Sequence, residues 1–145
     1  MITFDPGAGE PTQWAVCFTR KAASKWAAWL PGTYKHVRAF GFVGPINTWV
    51  FFDPALSRTT IRVARGEAAS QLIHEFLYAA AVIEVPTRAR TGTPPIFGWC
   101  APAVAHLLGV SGGALRPDTL FAHCLRQGGL LLADGCTVAT AAAAA

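Results

Sequence analysis

The residues best suited to chemistry are a cysteine opening an apolar helix and a histidine far upstream of it. In Phe97-Gly98-Trp99-Cys100-Ala101-Pro102-Ala103-Val104-Ala105-His106-Leu107-Leu108-Gly109, Cys100 begins a short apolar run that Gly109 ends. A helix N-terminus carries unpaired N–H groups and partial positive charge, which favour a thiolate and supply donors for an oxyanion. Pro102 fits there, because first-turn N–H groups have no intrahelical acceptor. Gly98 and Trp99 offer close backbone approach and an apolar wall. His36, in the strand-like run Tyr34-Lys35-His36-Val37-Arg38, is the base that such a nucleophile requires. The opposing reading of Cys100 is an ordinary buried helix cysteine, since free Cys is among the most buried residue types.

A third member follows from pairing arithmetic. Tyr34 to Val43 and Ile46 to Phe52 read as two strands around a Gly44-Pro45 turn. A turn centred there pairs residues whose numbers sum to 89, which sets His36 opposite Asp53 on one face. Asp53 would then accept a hydrogen bond from the imidazole and fix its orientation. Asp53-Pro54 also suits the start of a turn, and a slip of one residue would move Asp53 to the other face. Asn47, nearer the turn on the same strand, is the reserve orienter.

The elements that must hold these groups are short. Trp14 to Thr19 reads as a first strand with Cys17 as a small core residue, and Lys21 to Leu30 as a helix ended by Pro31-Gly32. In that helix Trp26 and Trp29 are expected in the core. Thr59 to Val63 is a further strand candidate. Glu67 to Ala81 is the strongest helix, with Leu72, Phe76 and Ala80 on one stripe and Ile73, Leu77 and Ala81 on another. His74 and Glu75 fall on its solvated side. Val82 to Val85 is a strand, Pro86 to Pro95 a loop, Pro117 to Arg126 a last helix, and Leu130 to Leu132 a short extra strand.

Composition bounds the rest. With 145 residues, 52% of them hydrophobic, the chain suffices for one core without staples: a lead-in over 1–13, one domain over 14–132 and an Ala-rich tail over 133–145. Charged residues are only 14%, against about 25% in an average soluble protein, and mean hydropathy is +0.36, which points to apolar surface meeting a partner. The net charge of +4 is scattered, so no specific nucleic-acid partner is expected. Cys17, Cys100, Cys124 and Cys136 lack paired spacing, and the four histidines add only the adjacent His123-Cys124, so neither a metal nor another cofactor is expected. No run is long enough to span a bilayer, and Met1 to Gly9 lacks the features of a secretory signal.

Several segments together resemble a circularly permuted branch of the papain-like superfamily, the NlpC/P60 group, found in small proteins of bacteriophages and proteobacterial prophages. They are Trp14-Ala15-Val16-Cys17-Phe18-Thr19-Arg20, Lys35-His36-Val37, Thr48-Trp49-Val50-Phe51-Phe52-Asp53-Pro54, Phe97 to Val110 and Leu115-Arg116-Pro117-Asp118-Thr119-Leu120-Phe121. The resemblance covers roughly residues 14–127 and has the permuted order, with the strands before the cysteine. It implies an α+β fold with an antiparallel sheet packed against the Cys-bearing helix. It also implies Cys100 as nucleophile, His36 as base and Asp53 as orienter. Permuted relatives include amidases, peptidases and lipid acyltransferases, so fold alone names no substrate. Two functions are therefore expected. One is a thiol hydrolase of a peptidoglycan peptide or a protein peptide bond, in the bacterial host cytoplasm or in a virion. The other is a non-catalytic structural or adaptor protein of the phage particle, partnered by other phage structural proteins.

Overall fold

The computed structural model describes residues 9–22, 25–29, 31–90, 99–110 and 114–134. Aromatic and β-branched runs form most of its strands: β1 (Gln13–Thr19), β2 (His36–Val43), β3 (Thr48–Pro54), β4 (Thr59–Ala64), β5 (Ala81–Pro86) and β6 (Leu130–Asp134). They make one sheet, ordered β4-β3-β2-β1-β5-β6, in which every neighbouring pair is antiparallel. The helices are α1 (Gly66–Leu77), α2 (Cys100–Leu108) and α3 (Pro117–Arg126). The chain is α+β.

Strand alternation distributes two cores. Trp14, Val16 and Phe18 of β1 share a cluster with Val104, Leu108 and Leu120, so α2 and α3 cover one face. Cys17, Phe40, Phe51 and Val82 point the other way and pack on Phe76 of α1. α1 stops at Leu77, short of the expected Ala81, because Ala81 is already paired with Phe18 in the sheet. His74 and Glu75 are exposed as expected, but Glu75 is not idle: its carboxylate takes Arg62 at 3.1 Å.

Two expectations are corrected here. The β2–β3 register follows a sum of 91, with Val43 opposite Thr48 and Ala39 opposite Phe52. The connection is longer than a two-residue turn: a short 3-10 helix, Gly44–Ile46, is followed by Asn47 in the left-handed region at φ 48°. Asn47 is thus spent on closing the hairpin and is exposed there, away from His36. The second correction concerns the Lys21 to Leu30 helix, where the described part is one 3-10 turn, Trp26–Trp29. Its two tryptophans are not core, Trp26 being 44% and Trp29 90% exposed. A 3-10 turn places residues three apart in line, and here that line faces outward.

The approach to β2 is held from α3. The Asp118 carboxylate accepts the backbone N–H of Thr33 at 2.8 Å and of Tyr34 at 3.1 Å. Gly32 sits beside it at φ +122°, where an added Cβ would lie 1.9 Å from Asp118 Oδ2. No other residue fits this crossing without moving it.

Candidate active site

His36 is the first residue of β2 and Asp53 the last but one of β3, so antiparallel pairing brings both to the same end of the sheet. Extending the observed register sets Asp53 across from Arg38 and makes His36 its diagonal neighbour. A displacement of two residues preserves the face, and the pair forms: His36 Nε2 lies 2.7 Å from Asp53 Oδ1. The Cys100 side chain lines one cleft with His36, close enough to act on its ring electrostatically. With Nε2 committed to Asp53, the ring nitrogen left for sulfur is Nδ1.

The third side chain arrives from the other direction. Trp99 is the extended residue before α2, and Cys100 is the first helical one. Ala103 donates back to the Trp99 carbonyl at 3.3 Å, and Pro102 has no N–H to donate. The backbone N–H groups of Cys100 and Ala101 therefore open the helix without an intrahelical acceptor, beside the sulfur. At the far end Gly109 closes α2 in the left-handed region, at φ 66°. Among the residues that precede Cys100, Gly98 lies outside the described ones.

The electrostatics follow from partial burial. Withdrawal from water alone would pull the His36 imidazole down. The hydrogen bond that its ring donates to Asp53, the neighbouring Cys100 side chain and the negative charge around it outweigh that, and His36 is pushed up from 6.5 to about 9. Burial by itself would raise the Asp53 carboxyl, but the His36 hydrogen bond and charge, with Arg38 and Arg62 nearby, hold it below its ordinary value. At neutral pH the pair is imidazolium and carboxylate, so Nε2–H donates to Asp53. Burial pushes the Cys17 and Cys124 thiols up to about 12. Cys136 lies outside the described residues.

Cys100 and His36 form part of the wall of a cleft of about 300 Å³. Its other lining residues come from the Trp26–Trp29 turn, from Lys35, from Ala55, Leu56 and Ser57 in the β3–β4 turn, from Trp99, from Leu115 before α3 and from Pro117, the first residue of α3. Of these only Trp99 is readable in the sequence as a wall. Leu56, Ser57 and Leu115 carry no local signal, and the spacing of Trp26 and Trp29 reads as core. His106 and His74 take no part in the cleft. Among the described residues no cluster of three or more His, Cys, Asp or Glu could hold a metal, and no helix is long and apolar enough to cross a membrane.

Compared with protein-family models, characterised proteins and solved structures, the chain matches none.

Proposed function

We propose that this chain is a thiol hydrolase that cleaves an amide bond, with Cys100 as nucleophile, His36 as acid and base, and Asp53 as the orienting carboxylate. The observation that carries the reading is a single His36 ring, hydrogen-bonded to Asp53, that shares one cleft with a cysteine at a helix N-terminus. A permuted papain-like domain of the NlpC/P60 type, of phage or prophage origin, accounts for the strands preceding the cysteine helix and for an antiparallel sheet beside it.

In the proposed reaction His36 holds the proton given up by the thiol, and sulfur attacks the carbonyl carbon. A C–S bond forms as the carbonyl π electrons move to oxygen, which the backbone N–H groups of Cys100 and Ala101 receive. Collapse breaks the C–N bond while His36 gives its proton to the departing amine. Water then attacks the thioester, its proton passing to His36. The C–S bond breaks and the proton returns to sulfur. Asp53 keeps the ring aligned through both halves. The bond cleaved is that of a peptide, in a cell-wall cross-link or a protein.

Labelling with iodoacetamide, followed by peptide mapping, tests this. Cys100 is expected to label fastest in the wild type, to account for the rapid phase lost in Cys100→Ala, and to slow about tenfold or more in His36→Ala. A rapid phase that survives Cys100→Ala, or a His36→Ala rate equal to wild type, refutes the assignment.

The sheet edges favour a second reading, an assembly role in the virion on the same fold. Ile61 and Val63 of β4 and Leu130, Leu131 and Leu132 of β6 are exposed on the two outermost strands, whose outer N–H and C=O groups have no neighbouring strand among the described residues. Copurification with intact phage particles supports it, and consistent absence from them refutes it.

A further inference from the structure

We infer that the cleft beside Cys100 selects a large apolar or aromatic side chain in the residue flanking the scissile amide. This rests on the thiol-hydrolase reading above and narrows it to a substrate class. Three large apolar residues left substantially in water, Trp26 at 44%, Leu56 at 57% and Leu115 at 60% exposure, come from three separate segments yet line this one cleft. Such residues each cost hydrophobic free energy by facing water. Their convergence around a thiol gives that exposure a purpose, which the exposed leucines and valines on the sheet edges do not share.

The walls are already in place. Trp99 Nε1 donates to the Leu115 carbonyl at 2.7 Å, joining two lining residues and satisfying the polar edge of the indole. The Trp99 ring that remains is apolar. A cavity of about 150 Å³ suffices for benzene. At about 300 Å³ the cleft has room for an aromatic side chain together with the backbone that carries it to Cys100. No carboxylate lines it among the described residues, so the cation of a diamino acid finds no partner there. Lys35 and Ser57 are its polar members besides the Cys100–His36 pair.

The test uses the full chain and N-acetyl aminoacyl chloromethyl ketones bearing Phe, Glu or Lys. In each, sulfur displaces chloride and the thiol proton leaves through His36. Iodoacetamide, too small to use the cleft, is the reference reagent. The Phe reagent is expected to modify Cys100 about 10- to 100-fold faster than the Glu and Lys reagents. This preference is expected to fall below about threefold in Trp26→Ala and in Leu115→Ala, and to persist in Tyr78→Ala, whose exposed ring lies outside the cleft. Equal rates for the three reagents, with iodoacetamide still selecting Cys100, overturn the apolar preference and leave the nucleophile standing. A faster Glu or Lys reagent overturns it too. Cys100 unreactive to iodoacetamide overturns the hydrolase reading and this inference together.

Discussion

Replacing Asp53 by asparagine tests the electrostatics of the site most directly, because the shape is kept and the charge removed. His36 stands at about 9 against 6.5 for an ordinary histidine, and at about 1.4 kcal/mol per pH unit the folded state favours the imidazolium by about 3 kcal/mol. Burial opposes that preference, so the partners supply more than the net figure. The amide oxygen of the substituted side chain could still accept a hydrogen bond, but the carboxylate charge is gone and only Cys100 remains to oppose desolvation. His36 is expected to titrate at least about one unit lower in Asp53→Asn. The assay is an NMR titration of the His36 ring between about pH 5 and pH 10.

Stability carries the same signature. A histidine raised on folding contributes stabilisation that is complete below 6.5 and is lost as pH rises through about 9. The lowered Asp53 carboxyl works in the opposite direction: its contribution is present above the ordinary 3.8 and disappears as pH falls through the folded value. The pair therefore supports the fold fully between 3.8 and 6.5. Urea unfolding at about pH 6 and about pH 9.5 is expected to show the wild type losing at least about 1 kcal/mol more than Asp53→Asn over that interval. Equal losses in both proteins, or a His36 ring still titrating at about 9 in Asp53→Asn, would refute the reasoning.

Three further outcomes are expected. Quantitative alkylation at about pH 8 should modify Cys100 well before Cys17 or Cys124, which burial holds up at about 12; tandem mass spectrometry reads the order, and prior labelling of either buried thiol contradicts it. Gly32→Ala forces a Cβ against Asp118 Oδ2 at a positive φ and should cost about 1–3 kcal/mol, seen as a lower Tm together with altered His36 ring shifts. Arg38 lies 4.3 Å over the Phe76 ring, donates to the Glu75 carbonyl at 2.6 Å and helps to hold Asp53 ionised. Arg38→Met should therefore move the Asp53 carboxyl upward by NMR and weaken the fold by about 1 kcal/mol; an unmoved Asp53 would show that Arg38 plays no electrostatic part.

The elements with strong local signals are legible in the sequence, and the residues placed by long-range contacts are not. Strand composition locates β1, β3, β4 and β5, the glycine at 109 marks the end of α2, and the Pro117 start of α3 is readable from the proline alone. The length of the β2–β3 connection is not, because it depends on Asn47 adopting a left-handed conformation after a 3-10 turn. Trp26 misleads for a related reason. Spacing of three reads as a helix stripe, and nothing local distinguishes a stripe that packs from one that lines a cleft. Leu56 and Leu115 gain their meaning only from where the β3–β4 turn and the segment before α3 meet.

The pairing of His36 with Asp53 tolerates the register error for a geometric reason. Side chains alternate with a period of two, so a displacement from a sum of 89 to one of 91 exchanges a directly opposed partner for a diagonal one on the same face. A diagonal neighbour stands about 7–8 Å away at Cα, within reach of an imidazole and a carboxylate. By alternation His36 shares its face with Arg38 and Phe40, on the α1 side, whereas Cys100 belongs to the core under α2. They come to one cleft at the end of the sheet, where His36 opens β2 and α2 begins. Asp118 and Gly32 acquire their importance there: they hold the backbone two to four residues ahead of His36, and so determine whether its ring can reach around the strand end to sulfur.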